Sequence, residues 1–351
     1  MAFISCLNLQ ISHYKKANLK KTHLIIFLFL LTSLSSSAQL QKFRFTETKM
    51  GSPFNLVFWA DDTAKAAHLA REGFALVDFY NSIFSDYDSN SELSRINRQA
   101  GKSTQTLSPP LFDILLYAAN AWRKSKGAFD ITVAPLSQLW RRARKEKRFP
   151  DTGSINRAKR MVGFNRIQLD TVARTISFPD TMMKLDLGGI AKGYTAEKVL
   201  EFLRSKGITK ALVDAGGDIT LGDAPDNTSG WIIAVNVPES AEELLAKRLL
   251  LHNLSVATSG DAFQYFEKDG KKYSHIIDPR TGYGIESQRN VTIIAATGTD
   301  ADWLATASSI LPMEAVKKLC HTMQAEFLIT EIKNGKISYH LSDGFARYWK
   351  N

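Results

Sequence analysis

Helical and strand-like hydrophobic patterns alternate along the chain after residue 38, and this alternation predicts a mixed α/β fold. Residues 55–59 have the composition of a buried strand, whereas residues 63–84 repeat apolar side chains at helical spacing. No linker is clear enough to divide the chain between residues 39 and 351. We therefore expect one folded unit over 39–351, with room for two lobes.

Residues that commonly begin or end helices locate further predicted helices. Ser108 followed by Pro109 predicts a helix start, Gly127 predicts the end of that helix, and Gly207 ends another. The predicted helices are 108–127, 190–206 and 300–310. The predicted strands are 184–187, 211–213, 231–237, 273–277 and 291–296, with a terminal hairpin at 327–330 and 337–341.

Residues 1–38 have the three parts of a secretory signal peptide. Basic side chains, up to Lys21, precede a short apolar run at 24–31, and small polar residues follow to Ala38. Because the apolar run is too short to span a bilayer comfortably, we expect cleavage after Ala38 and export to the periplasm. A retained N-terminal anchor is the alternative. The cleaved chain would keep Cys320 as its only cysteine and could form no internal disulfide.

The chain is basic, with a formal net charge of +10. Much of the positive charge outside the signal peptide falls within residues 141–148. We interpret this segment as a solvated surface loop, and the alternative is a patch that meets an acidic partner or a membrane surface. No recognised nucleic-acid motif accompanies the charge, so nucleic acid is not an expected partner.

A glycine turn at residues 184–194 lies between a predicted strand and a predicted helix. It places the Asp186 carboxylate before the glycines and the Lys192 ammonium after them. Glycines let the backbone approach a ligand closely, and the start of a helix offers unpaired N–H groups and positive potential to phosphate. A structural turn with a surface lysine is the alternative that this segment alone leaves open.

Two further segments have the polar composition of binding sites. Residues 213–218 place two glycines between Asp214 and Asp218 directly after a predicted strand, an arrangement that also suits a plain tight turn. Residues 273–282 crowd histidine, aspartate and arginine around a sharp bend. His275 lies on an apolar strand, where it is either a hydrogen-bonded core residue or a catalytic group.

Oxygen-bearing side chains recur within residues 297–306, at the start of the last predicted helix. Asp302 and Thr306 are four residues apart and therefore share one helical face. Such donors suit Mg²⁺, which takes few protein ligands and completes its shell with water and substrate phosphate. Capping of the helix start by Asp300 or Asp302 is the alternative.

Together these segments resemble those of the ApbE family, the FAD:protein FMN transferases. The likeness begins at Met50, runs to about Pro312, and includes the segments 84–97 and 127–133. Because the blocks follow one another in the family's order, the resemblance is specific. It implies an ApbE-type α/β fold (mixed α+β), with a two-lobed flavin transferase domain over 39–351.

The resemblance also implies a set of site residues. The flavin-nucleotide contacts would be Met50, Tyr87, Ala128, Phe129, Asp130, Asp186, Lys192 and Ile276. The metal ligands would be the backbone oxygen of Gly189 and the side chains of Asp302 and Thr306, with Mg²⁺ as the ion. His275 would help to deprotonate the acceptor hydroxyl, and Lys192 would stabilise charge on the phosphoryl oxygens. Some members carry a second acid where this chain has Ala305.

A member of this family would transfer FMN from FAD to a Ser or Thr hydroxyl of an acceptor protein, through a phosphoester bond, and release AMP. The acceptor would be an exported or membrane-bound protein, and the enzyme could itself associate with the inner membrane. Two alternatives need the same cavity: an FAD pyrophosphatase that uses water, and a non-catalytic exported FAD-binding protein. A redox flavoenzyme is less consistent with the sequence, because no G-x-G-x-x-G fingerprint follows a strand.

Overall fold

The computed structural model describes residues 40–238, 244–260, 265–268, 270–286, 288–333 and 336–350. The predicted signal peptide at 1–38 lies outside these ranges. Within them, no helix combines the length and the apolar composition that a membrane crossing requires. The described residues from Lys42 onward form one compact unit.

Helices and strands alternate along most of the chain. The helices are α1 (Thr63–Phe84), α2 (Glu92–Gln99), α3 (Pro109–Lys124), α4 (Ala134–Glu146), α5 (Thr152–Lys159), α6 (Ala191–Ser205), α7 (Gly298–Ile310) and α8 (Met313–Thr322). The strands are β1 (Gln41–Lys49), β2 (Ser52–Ala60), β3 (Gln105–Thr106), β4 (Gln168–Asp170), β5 (Thr175–Ser177), β6 (Ala211–Ala215), β7 (Ile219–Leu221), β8 (Trp231–Pro238), β9 (Leu244–Leu251), β10 (Ser255–Gly260), β11 (Tyr265–Lys268), β12 (Lys271–Ser274), β13 (Gln288–Ala295), β14 (Glu326–Lys333) and β15 (Lys336–Leu341). Short 3₁₀ turns occur at Ile131–Val133, Phe164–Arg166 and Phe345–Tyr348.

The central sheet has eight strands in the order β1-β2-β6-β7-β10-β13-β14-β15. Every pairing described from β2 to β15 is antiparallel. Successive side chains of such a strand point to opposite faces of the sheet. In β13, Val291 and Ile293 pack into the helical layer, whereas Ile294 packs into a cluster with the β8–β9 ribbon. The mixed α/β fold class is therefore confirmed.

Helix-forming signals in the sequence are confirmed at four places, by α1, α3, α6 and α7. Asp62 caps α1, since its carboxylate accepts a hydrogen bond from Lys65 N at 2.7 Å. Ser108 caps α3 in the same way, with a proline in the first turn. The predicted terminal hairpin is also confirmed, by the antiparallel pairing of β14 with β15.

Residues 184–187 do not form the predicted strand. The Asn97 side chain takes the place of a neighbouring strand, because its amide donates to Leu185 O at 2.9 Å and its oxygen accepts from Leu185 N at 2.7 Å. Asp186 N donates to Ile131 O at 2.7 Å. The segment is thus held by one side chain and a turn, which hydrophobic patterning does not reveal.

The basic segment 141–148 is not a surface loop, so that expectation is wrong. Its first part belongs to α4, which buries Leu136, Trp140 and Ala143 on one face. Lys147 ends the helix in a left-handed conformation, with φ 52°. Burial of the apolar face makes the segment helical despite its charge, because the basic side chains occupy the other faces.

Two glycines let α6 and α7 approach each other closely. A Cβ on Gly193 would lie 2.1 Å from Gly298 O, and one on Gly298 would lie 2.5 Å from Gly193 O. The Gly193 N–H also donates to Asp302 Oδ2 at 2.9 Å. This contact fixes Lys192, near the start of α6, relative to Asp302 on α7.

Candidate active site

The turn before α6 brings the backbone of residue 189 against α7. Gly188, Gly189 and Ile190 form this turn, directly before the helix begins. A Cβ on Gly189 would lie 2.9 Å from Thr306 Oγ1 and 3.3 Å from a ring carbon of Phe129. The absence of a side chain at Gly189 is therefore what allows its backbone to lie beside the Thr306 hydroxyl.

One ammonium group faces two buried carboxylates near this turn. Lys192 forms an ion pair with Asp218, and the charge of Asp302 also acts on it. Burial alone would lower the pKa of Lys192, but the two carboxylates outweigh burial and raise it above its ordinary value. Burial, together with the charge of Asp218, raises the pKa of Asp302 to about 8. The cluster carries excess negative charge when it is fully ionised, and a bound cation would offset that charge.

The residues at this position fit a divalent cation. Asp302 and Thr306 lie one turn apart on α7, and both line the same cavity as Gly189. Carboxylate, hydroxyl and carbonyl oxygens are the hard donors that Mg²⁺ prefers. In the described part of the chain, no three His, Cys, Asp or Glu side chains converge on a metal position. A site with a single carboxylate would take its remaining ligands from phosphate and water, as Mg²⁺ commonly does.

A cavity of about 350 Å³ brings together all but one of the predicted site residues. The predicted residues that line it are Tyr87, Ala128, Phe129, Asp130, Asp186, Gly189, Lys192, His275, Ile276, Asp302 and Thr306. The volume falls in the range of small-molecule sites. Met50 is not among the lining residues: it lies in the turn between β1 and β2, half-buried against the core.

The Asp130 carboxylate is used within the protein. Its Oδ1 accepts from Thr132 N at 2.8 Å and from Thr132 Oγ1 at 2.6 Å, and its Oδ2 accepts from Phe164 N at 3.0 Å. Burial raises the pKa of Asp130, and these hydrogen bonds oppose the rise. The side chain therefore stabilises the 3₁₀ turn that follows it. Because both carboxylate oxygens are used in this way, a ligand at Asp130 would contact the backbone of this residue.

His275 and Ile276 lie beyond the end of β12, not within a longer strand as predicted. Ile276 is held by a backbone hydrogen bond from Ile285 N to its carbonyl oxygen, at 3.0 Å. The His275 side chain is half-buried and lines the cavity. The sequence left two roles open for His275, a hydrogen-bonded core residue or a catalytic group. The structure places its side chain on the cavity wall, where a catalytic group could act.

Helix α4 contributes a wall of the cavity that the sequence analysis missed. Arg141 donates to Asp86 at 2.6 Å and to Asp186 at 2.5 Å, and its guanidinium lies 4.3 Å from the centre of the Tyr87 ring. Ser137 Oγ also donates to Asp186, at 2.7 Å. Arg141 therefore positions two residues, Tyr87 and Asp186, that the resemblance implies as flavin contacts.

Arg144 lines the same cavity, one turn beyond Arg141. Both belong to the basic segment that the sequence analysis interpreted as a surface loop. The signal that could have identified them is the helical spacing of Leu136, Trp140 and Ala143, which makes the segment a helix with a buried face. Arginines at positions three apart on such a helix lie on one side of it.

An antiparallel sheet layered with helices, and a charged cleft at a helix N-terminus, define an α+β protein with a site suited to a phosphorylated ligand. The sequence model of the ApbE family matches residues 50–329. The chain belongs to the ApbE family.

Curated relatives cover most of the chain. The FAD:protein FMN transferase of Klebsiella pneumoniae (strain 342) is 32% identical over 262 residues, which are 74% of this chain and 79% of that protein. The FAD:protein FMN transferase of Haemophilus influenzae is 30% identical over 300 residues, 82% of this chain and 86% of that protein. The predicted family resemblance is thereby confirmed.

Solved structures match the fold. The flavin transferase ApbE from Vibrio cholerae superposes with a TM-score of 0.78 at 25% identity, covering 88% of this chain and 100% of that one. The flavinyl transferase ApbE of Pseudomonas stutzeri, in its apo form, gives a TM-score of 0.78 at 27% identity over 89% of this chain and 98% of that one. The expected ApbE-type fold is confirmed.

Proposed function

We propose that this protein transfers the FMN half of FAD to a Ser or Thr hydroxyl of an acceptor protein and releases AMP. One observation carries the proposal: Gly189, Lys192, Asp302 and Thr306 line one cavity, in a chain whose relatives are named FAD:protein FMN transferases. A lysine and a set of oxygen donors beside a helix N-terminus suit the pyrophosphate of a dinucleotide.

The reaction exchanges a phosphoanhydride bond of FAD for a phosphoester bond to the acceptor. The acceptor oxygen forms a bond to the FMN-side phosphorus, the bond between that phosphorus and the bridging oxygen breaks, and AMP leaves with the bridging oxygen. The proton of the acceptor hydroxyl must pass to a base. His275 is the base that we propose, because it lines the cavity and an imidazole accepts a proton near neutral pH.

Lys192 would bind and stabilise the phosphoryl oxygens. Its pKa is raised by Asp218 and Asp302, so the ammonium stays charged at neutral pH. The ion pair with Asp218 also orients the side chain before substrate arrives. Preorganised positive charge of this kind stabilises the negative charge on a transferring phosphoryl group.

We further propose that the backbone oxygen of Gly189 and the side chains of Asp302 and Thr306 hold Mg²⁺. A bound divalent cation would neutralise charge on the pyrophosphate and on the leaving group. Asp302 is suited to this role because its carboxylate is buried, and burial makes its charged form unfavourable until a cation is near.

The proposed setting is the periplasm, after removal of residues 1–38. The acceptor would then be another exported protein or the exported face of a membrane protein. Intact-mass measurement of the protein recovered from a periplasmic fraction tests this directly. A mature chain beginning at Gln39 supports export with cleavage, whereas a full-length chain held in the membrane fraction supports a retained anchor.

The transfer is tested by incubating the enzyme with FAD, Mg²⁺ and an exported candidate acceptor. The proposal expects in-gel flavin fluorescence on the acceptor and a mass increase of one FMN moiety, both abolished by EDTA. The matched control is an acceptor in which the target Ser or Thr is replaced by Ala. Release of AMP without labelling would indicate a pyrophosphatase, and FAD binding without AMP release would indicate a non-catalytic binding protein.

A further inference from the structure

The Arg144 guanidinium is partly buried, and one of its nitrogens has no hydrogen-bond acceptor among the described residues. Its Nη1 atom is inaccessible to solvent, and no described residue accepts a hydrogen bond from it. Arg144 also lines the cavity that holds the proposed active site. Buried donors in folded proteins nearly always have an acceptor, because an unpaired one costs free energy. A ligand that brings an acceptor to this position would remove that cost.

The charges around Arg144 also leave its positive charge unneutralised. The neighbouring Arg141 has Asp86 and Asp186 as ion-pair partners, whereas no carboxylate in the described ranges pairs with Arg144. Burial lowers the pKa of Arg144, the positive charge of Arg141 lowers it further, and Tyr87 acts in the opposite direction. The side chain that opposes this lowering of the Arg144 pKa is therefore Tyr87, an aromatic residue and not an acid.

Tyr87 provides a surface on which a planar ligand can stack. It is 80% exposed, and the Arg141 guanidinium packs over its ring. An exposed aromatic ring on the wall of a ligand-sized cavity gives a planar ligand a face on which to stack. A flat ring stacked on Tyr87 would lie near Arg144, because Arg144 and Tyr87 interact electrostatically.

The phosphate-binding features come from other elements of the fold. Lys192, Asp302 and Thr306 belong to α6 and α7, whereas Arg144 belongs to α4. A dinucleotide that placed its pyrophosphate beside Lys192 would direct one of its two rings toward Tyr87. The pyrimidine edge of an isoalloxazine carries two carbonyl oxygens that accept hydrogen bonds from a guanidinium, whereas adenine offers single ring nitrogens, and the amino donor beside N1 and N7 would face the guanidinium unfavourably.

We propose that Arg144 is a specificity-determining residue, whose guanidinium binds the carbonyl edge of the flavin ring stacked on Tyr87. The assignment rests on the proposed function, because it takes FAD as the substrate. It also disfavours a dinucleotide with a cationic ring, since the Arg144 guanidinium, which has no carboxylate partner among the described residues, would repel a nicotinamide cation.

The test is calorimetric titration with FAD, FMN and ADP in the presence of EDTA, so that binding is measured without turnover. We expect Arg144→Met to weaken the binding of FAD and FMN by about tenfold or more, the size typical for loss of a charge-assisted hydrogen bond. ADP binding should not change. Arg144→Lys keeps the charge but lacks the planar fork, so its affinity for FAD should be intermediate.

Arg142→Met is the matched control, because Arg142 is exposed on the same helix. It should bind all three ligands as the wild type does. Unchanged FAD affinity in Arg144→Met would overturn the inference, as would an equal loss for ADP, which would place Arg144 at the adenine or phosphate end. If Arg144→Met does not fold, unchanged FMN affinity in Arg144→Lys overturns it instead. A wild-type protein that binds neither FAD nor FMN, with EDTA or with Mg²⁺, would refute the proposed function itself.

Discussion

The substitution Gly193→Ala adds one methyl group at the contact between α6 and α7, and so tests whether the close packing of the two helices is needed for stability and activity. The added Cβ would lie 2.1 Å from Gly298 O and 2.7 Å from Asp302 Cβ. Ordinary contacts between such atoms begin near 3.4 Å, so the two helices must separate by roughly 1 Å. Because Gly298 meets the new atom with its backbone, no side-chain rotation can relieve the clash.

The expected loss of stability follows from two opposing terms. Overpacking a tight contact costs about 1–3 kcal/mol, whereas alanine in place of glycine within a helix gains about 1 kcal/mol. We therefore expect Gly193→Ala to reduce the free energy of unfolding by up to about 2 kcal/mol. The effect on activity should be larger, because a displacement of about 1 Å at reacting groups can lower the rate about 100-fold.

The assay pairs urea unfolding with FMN transfer from FAD to an acceptor protein. Gly73→Ala is the matched control: it also lies within a helix, but its Cβ would meet side chains and no backbone, the end of Leu56 at 2.9 Å and Val199 at an ordinary 3.7 Å. The control should unfold within about 1 kcal/mol of the wild type, because the same helical gain offsets the shift of the Leu56 side chain, and it should retain transfer. A Gly193→Ala protein with wild-type stability and full transfer would refute the reasoning. Lost stability with full transfer would show that the contact is structural only.

Three further predictions concern other residues of the site. Asp302→Asn should weaken Mg²⁺ binding by at least about tenfold in calorimetric titration, because it removes the only carboxylate of the proposed ligand set. Asn97→Ala should lower the free energy of unfolding in urea by about 2–4 kcal/mol, because both backbone groups of Leu185 lose their partner; an unchanged midpoint would contradict it. Arg141→Met should cost about 3 kcal/mol in the same assay, because Asp86 and Asp186 lose a largely buried partner. It should also weaken FAD binding.

Local patterns in the sequence predicted about half of the helices and strands in the described part of the chain. The spacing of apolar residues predicted α1 and α3, and the Ser108-Pro109 pair located the start of α3, because both signals act within a few neighbouring residues. The strand predicted at 184–187 was wrong because its pairing is with the Asn97 side chain, 88 residues away in the chain. A pairing of that kind leaves no periodic pattern in the sequence.

The same limit applies to the basic segment. Charge alone predicts a solvated loop, whereas the helical spacing of Leu136 and Trp140 predicts a buried face. In the folded protein their burial makes the segment a helix, and Arg141 and Arg144 then lie on the cavity wall. The number of charged residues in a segment therefore said less about its exposure than the spacing of the apolar ones.

The sequence by itself determined the family, the mixed fold class, and the placement of Asp302 and Thr306 on one face of a helix. These follow from ordered motifs and from the 3.6-residue period of an α-helix, both of which are written along the chain. Only the tertiary structure decided that the backbone of Gly189 lies against the Thr306 hydroxyl and that arginines of α4 reach the cavity. Those contacts join residues far apart in sequence. The first accompanies the close packing of α6 and α7 that two glycines allow, and the second follows from burial of the apolar face of α4.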